Sequence, residues 1–230
     1  MKIEWLGRIE YQAGLGIQEE RLDECLNNGE ESVILLEHEP VYTIGRLPDK
    51  SSLHLVDQLP YPVFETNRGG QATYHGPGQL VGYPILDLRA RGRDLHRYLR
   101  KLEDLLIDLL KEFEIKGSKI EGKTGVWVED RKIASIGIGI RKWVTMHGFA
   151  LNVASDLSGF RSIIPCGLPG VRMTSISAES GSEVTLETVR ERLLPHLRKQ
   201  LSVSVVGCRL VVSFQWQLSG AGSRVGAILA

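Results

Sequence analysis

Apolar residues recur at helical spacing most strongly over residues 94–113. There Leu95, Leu99, Leu102, Leu105, Leu106, Leu109, Leu110 and Phe113 form one broad stripe behind Asp94, a good helix N-cap. A second helical stretch covers residues 185–201, with Leu186, Val189, Leu193 and Leu197 in phase, and Pro195 is expected to kink or split it. A third covers residues 12–27, where Leu15, Leu22, Cys25 and Leu26 share a face and Asn27-Asn28-Gly29 ends the helix. Strand-like runs stand at residues 3–9, 32–37 and 61–66. Three more follow in succession at 124–129, 132–140 and 143–153, joined by the polar pieces Glu129-Asp130-Arg131 and Arg141-Lys142. Residues 47–60 read as a surface loop, 156–160 as a turn or short helix, and 163–170 as an irregular loop. Terminal strands are expected at 201–206 and 210–214, ahead of a tail over 215–230 with no clear period. No repeat and no linker cuts the chain, so residues 1–214 read as one α/β (α+β) domain, sheet-rich with packed helices.

Composition narrows the partners. The chain has 28 basic and 28 acidic side chains, so nothing global argues for nucleic acid or an anionic membrane. No stretch approaches the roughly 20 apolar residues that span a bilayer, and the N-terminal residues lack the apolar core of a signal peptide. Cys25, Cys166 and Cys208 are an odd number without CxxC spacing. That argues against a disulfide framework or a structural zinc site, and for a reducing cytosol.

The chemistry centres on residues 68–88, RGGQATYHGPGQLVGYPILDL. Glycines there allow a ligand close to the backbone, and exposed N–H groups can cradle an anion or a carbonyl oxygen. Arg68, Tyr74 and His75 add groups that donate or titrate; the plain alternative is a hairpin loop. Cys166, between Pro165 and Gly167, is the candidate nucleophile, although taken alone such a thiol is more often buried and structural. Lys132, opening the run KIASIGIGI, is the candidate cation beside it, with an ordinary hairpin lysine as the alternative and His75 and His147 as rival bases. His38, in the polar–apolar stretch 38–46 that suggests a pocket wall, reads as a loop hydrogen-bonder. Gly137, Gly139 and Gly148 interrupt strand patterns, where glycine marks a bulge or a close approach. No His, Cys, Asp or Glu set has metal-ligand spacing.

Four blocks, in order, carry a resemblance: RGGQATYHGPGQLVGYPILDL, RKIASIGI, HGFALNV and IIPCGL. Together they closely resemble the lipoyl(octanoyl) transferases, over roughly residues 1–200. The resemblance implies a mixed β-sheet flanked by helices, as in biotin and lipoate protein ligases. It also implies transfer of an octanoyl group from acyl carrier protein, through a cysteine thioester, to a lysine ε-amine of a lipoyl domain. The acceptors implied are the lipoyl domains of 2-oxoacid dehydrogenase complexes and the glycine cleavage H protein, with no cofactor. By position, the thioester cysteine falls on Cys166 and the lysine that tunes it on Lys132. Substrate contacts fall on Arg68, Gly69, Gly70, Gln71, Ala72, Thr73, Tyr74 and His75, on Ser135, Ile136 and Gly137, and on Gly148, Phe149 and Ala150.

The rival readings are an ATP-dependent ligase on the same fold, a non-catalytic binding protein, and a cysteine hydrolase. A basic run, Arg89, Arg91, Arg93, Arg97, Arg100 and Lys101, is either a docking face for the acidic carrier or a solvated helix face.

Overall fold

In the computed structural model the described residues are 1–46, 52–53 and 58–202. In chain order the elements are β1 (Lys2–Ile9), α1 (Tyr11–Asn28), β2 (Ser32–His38), β3 (Val41–Ile44), β4 (Val63–Glu65), β5 (Thr73–His75) and β6 (Gln79–Ile85). Then come α2 (Leu95–Lys111), β7 (Ser118–Ile120), β8 (Lys123–Val128), β9 (Arg131–Arg141), β10 (Val144–Asn152), β11 (Arg172–Met173), α3 (Ile176–Ser180) and α4 (Leu186–Leu201). The expected strands at 201–206 and 210–214, the tail and Cys208 fall mostly or wholly outside the described residues.

The large sheet runs β1-β2-β6-β10-β9-β8-β7, and β11 pairs with β9. It is mixed: β1 lies parallel to β2 and β11 parallel to β9, while the other neighbours are antiparallel. Its central strands are buried on both faces, which explains their near-continuous apolar runs. Alternation along β2 shows how two cores are served. Val33 and Leu35 point into the core under α2 and α4, while Ile34 and Leu36 join Leu22 and Cys25 of α1 on the other face. A smaller sheet, β4-β3-β5, packs its own apolar cluster, Tyr42, Ala72 and Tyr74, against Phe160 and Ile163 of the later loops.

The helices begin and end where local chemistry directs. Asp94 caps α2 by accepting from Arg97 N, Thr185 caps α4 by accepting from Thr188 N, and Gly29, with φ 73, closes α1. Three expectations change. Helix α4 is not split at Pro195 but continues as one element, because Val189, Leu193, Leu197 and Leu201 keep its apolar face buried on both sides of the proline. His38 is no loop residue. It ends β2 with no exposed surface, its Nδ1 against Ile9 O at 3.1 Å and its Nε2 against the Tyr83 hydroxyl at 2.8 Å. The stretch 38–46 also forms no wall of the cavity described below, although β3 braces the loop that does.

Candidate active site

A cavity of about 220 Å³ lies where the glycine-rich loop crosses β9 and β10. Close approach is built in: Gly69 N donates to Ile138 O at 2.8 Å, and a Cβ on Gly137 would stand 3.1 Å from Arg68 Cδ. Of the loop positions singled out in the sequence, Arg68, Gly70, Gln71, Thr73 and His75 line the cavity. Gly69, Ala72 and Tyr74 do not. Gly69 is spent on the strand contact, Tyr74 turns into the small-sheet core, and Ala72 O accepts the Cys166 N–H at 2.8 Å. Ser135, Ile136, Gly137, Gly148, Phe149 and Ala150 all line it, as do Lys132 and Cys166.

Cys166 is partly exposed and sits in a single 3-10 turn, Pro165–Gly167, with φ 57 and ψ 19. This left-handed backbone costs a non-glycine residue about 1–2 kcal/mol. The Ala72 carbonyl holds it, and Gly167 continues it at φ 66. Any side chain at Gly167 would collide with the Gln71 amide, whose Oε1 lies 2.0 Å from the would-be Cβ. The Lys132 Nζ donates to Cys166 Sγ at 3.0 Å. Lys132 is 1% exposed, and its amine lies 5.2 Å from the centroid of the buried Trp127 ring. Ser135 Oγ stands 3.9 Å from the same sulfur.

A bulge aims the lysine. Val126 pairs with Ala134 but Trp127 pairs with Lys132, so Ile133 is an extra residue on β9. Strict alternation would turn Lys132 to the α2 face with Ala134. The extra residue returns it to the face of Ser135 and Gly137, where Cys166 is.

The two rival bases both line the cavity, but each is held in hydrogen bonds of its own. His75 Nδ1 meets Gln79 Oε1 at 2.8 Å, and Gln79 Nε2 donates to Tyr74 O and Asn152 Oδ1. Nδ1 therefore carries the proton, and Nε2 faces the Thr43 hydroxyl at 3.4 Å. Arg68 Nη2 donates to that hydroxyl and to Thr43 O. The same network reaches β9, for Asn152 Nδ2 donates to Thr174 O, and Thr174 N donates to Lys132 O. Burial, with repulsion from His38 and Arg68, pushes His75 down to about 3. His147, at φ 56 within β10, holds Asn67 Oδ1 at 2.6 Å through Nε2, and burial beside Arg68 pushes it down to about 3. Both imidazoles are neutral at neutral pH. Cys25, by contrast with Cys166, is buried in the α1 core, and burial with the nearby Glu31 and Asp87 pushes it up to about 11.

Some lining residues gave no local signal in the sequence: Tyr11, Tyr83, Gly122, Lys123, Thr124 and Leu168. Tyr11 opens a helix and Tyr83 sits inside a buried strand, so each reads as core until the loop folds over it. Arg89 pairs with Asp87, Arg91 with Glu31 and Arg100 with Glu103, and α2 covers the sheet face opposite Ser135 and Gly137. Among the described residues no His, Cys, Asp and Glu cluster could hold a metal ion, and no helix is long and apolar enough to cross a membrane.

The family model described as lipoyl protein ligase A/B catalytic domain matches residues 10–198. An octanoyltransferase of Geobacter sulfurreducens is 51% identical over 187 residues, covering 81% of this chain and 78% of that one. The architecture is shared with the bi-partite lipoate protein ligase of Thermoplasma acidophilum, at a TM-score of 0.65 and 16% identity, over 87% of this chain and 83% of that one. It is also shared with the biotin protein ligase of Aquifex aeolicus, at 0.52 and 15%, over 87% and 69%.

Proposed function

The chain belongs to the octanoyltransferases of the lipoyl protein ligase A/B catalytic-domain family, and from that premise we propose that it moves an octanoyl group from an acyl carrier protein thioester to a lysine ε-amine of a lipoyl domain, by way of a thioester on Cys166. The observation that carries this reading is the Lys132 Nζ at 3.0 Å from Cys166 Sγ, at the wall of a cavity floored by strand glycines.

In the first step the Lys132 amine takes the thiol proton and the Cys166 sulfur attacks the donor carbonyl. A carbon–sulfur bond to Cys166 forms, the bond to the carrier's sulfur breaks, and Lys132 returns the proton to the departing thiolate. In the second step the acceptor amine attacks the acyl-Cys166. The amide bond forms, the thioester breaks, and the amine's proton passes through Lys132 to the Cys166 sulfur. The N–H groups of Cys166, Gly167 and Leu168 are already bonded to Ala72, Ile164 and Pro165 carbonyls. Those of Gly70 and Gln71, which have no acceptor among the described residues, are the loop donors left for the developing oxyanion. Each methylene buried along the cavity contributes about 0.8 kcal/mol, which favours an aliphatic acyl chain.

On this reading residues 1–214 act as one catalytic domain in the cytoplasm. The acceptors are lipoyl domains of 2-oxoacid dehydrogenase complexes and the glycine cleavage H protein. Transfer from octanoyl-acyl carrier protein to a lipoyl domain is expected without ATP or magnesium. An absolute requirement for both would replace this reading with the ligase one.

A further inference from the structure

The pairing of Cys166 with Lys132 leaves a buried carboxylate, Glu103, without a role. Glu103 stands on α2 with no exposed surface, between Leu102 and the leucines of the same buried stripe. A carboxylate there is costly unless its oxygens are hydrogen-bonded. Both are. Oε2 receives Arg100 Nη1 at 2.6 Å, and Oε1 accepts the backbone N–H of Gly125 at 3.1 Å.

Gly125 immediately precedes the Val126–Trp127 step of β8 that faces the bulge in β9. Its φ is +123, and a Cβ there would stand 2.5 Å from Ala134 O, 2.7 Å from Lys132 Cε and 3.2 Å from Lys132 Nζ. Glu103 therefore grips one side of Gly125 while the Lys132 side chain lies against the other. The amine has Cys166 Sγ as its hydrogen-bond acceptor among the described residues, with the Trp127 ring beside it. With one acceptor, its position is set by these walls, and a shift of Gly125 moves a wall.

We propose that Glu103 is a positioning residue for acyl transfer: from the far face of the sheet, its hydrogen bond to Gly125 fixes the segment of β8 that seats the Lys132 amine on Cys166. The proposal rests on Cys166 and Lys132 being the reacting pair. A carboxylate that only completes the α2 core would change stability and leave the thiol's reactivity alone.

Glu103→Gln keeps an acceptor at the same reach and removes the charge. Glu103→Asp keeps the charge and falls a methylene short of Gly125. For both, with wild type and Lys132→Met, the rate of Cys166 carbamidomethylation at pH 7 is measured by peptide mapping. The kcat and KM with octanoyl-acyl carrier protein are measured beside it. Glu103→Gln is expected within about threefold of wild type. Glu103→Asp is expected to lose about tenfold or more in alkylation rate and in kcat, with KM little changed, since small misplacements of a reacting group cost that much. A folded Glu103→Asp with wild-type values overturns the proposal, and so does a Glu103→Gln as impaired as Glu103→Asp. Should Glu103→Asp fail to fold, Glu103→Leu decides, since it removes the acceptor for the Gly125 N–H: wild-type alkylation and kcat in the folded variant overturn the proposal, and a loss that Glu103→Gln does not share supports it. Unchanged alkylation in Lys132→Met would instead sink the Cys166–Lys132 reading itself.

Discussion

Two thiols in one chain show how setting decides reactivity. Cys25 is sealed in the α1 core and pushed up to about 11 by burial, whereas Cys166 is held in a left-handed turn, partly exposed, with a buried lysine amine at 3.0 Å. Alkylation at neutral pH is therefore expected to mark Cys166 and spare Cys25. Replacing Lys132 with Met removes the cation that stabilises a thiolate and should slow Cys166 alkylation about tenfold or more. Equal rates in the two proteins would return attention to the histidines. The sequence made Cys166 and Lys132 legible through the short blocks around them. It did not show how Lys132 reaches the thiol, because alternation alone sends that side chain to the α2 face and a single extra residue, Ile133, reverses it.

At the level of elements, patterning found α2 and the β8–β9–β10 succession because each has one period over many residues. The run at 61–66 announced β4, whereas β5, β7 and β11 are too brief to carry a period, and the small sheet is packed against the loops after β10. Leu106 of α2 is fully buried in the larger core, so Leu106→Ala should destabilise the protein by about 2–5 kcal/mol, read as a fall in the urea midpoint. A loss under about 0.5 kcal/mol, typical of surface positions, would mean the helix packs loosely. The same geometry bears on the docking idea. Since α2 covers the face opposite the cavity, reversing Arg93 and Arg97 to Glu should leave KM for the carrier-bound donor unchanged. A rise in that KM, without a change for a small octanoyl thioester, would return the carrier to this face.

Across the whole molecule, His38, His75 and His147 share one buried aromatic cluster with Tyr11 and Tyr83. Burial pushes them down to about 4, 3 and 3. Unfolded, each titrates near 6.5, so below that pH the unfolded chain binds more protons than the native one. Their stabilising effect is complete above about pH 6.5 and is lost as pH falls toward 4 and then 3. Near pH 5 each can cost up to about 2 kcal/mol, and the urea midpoint should drop steeply between pH 7 and pH 5. A flat profile would mean that these imidazoles are protonated in the native state. The octanoyl-enzyme is the claim on which the rest stands, and the intact mass of the whole chain tests it most directly. After incubation with octanoyl-acyl carrier protein and no acceptor, wild type should gain the mass of one octanoyl group, mapped to Cys166, and Cys166→Ala should gain none. An octanoyl adduct of equal yield in Cys166→Ala, or undiminished transfer by it, would contradict the account.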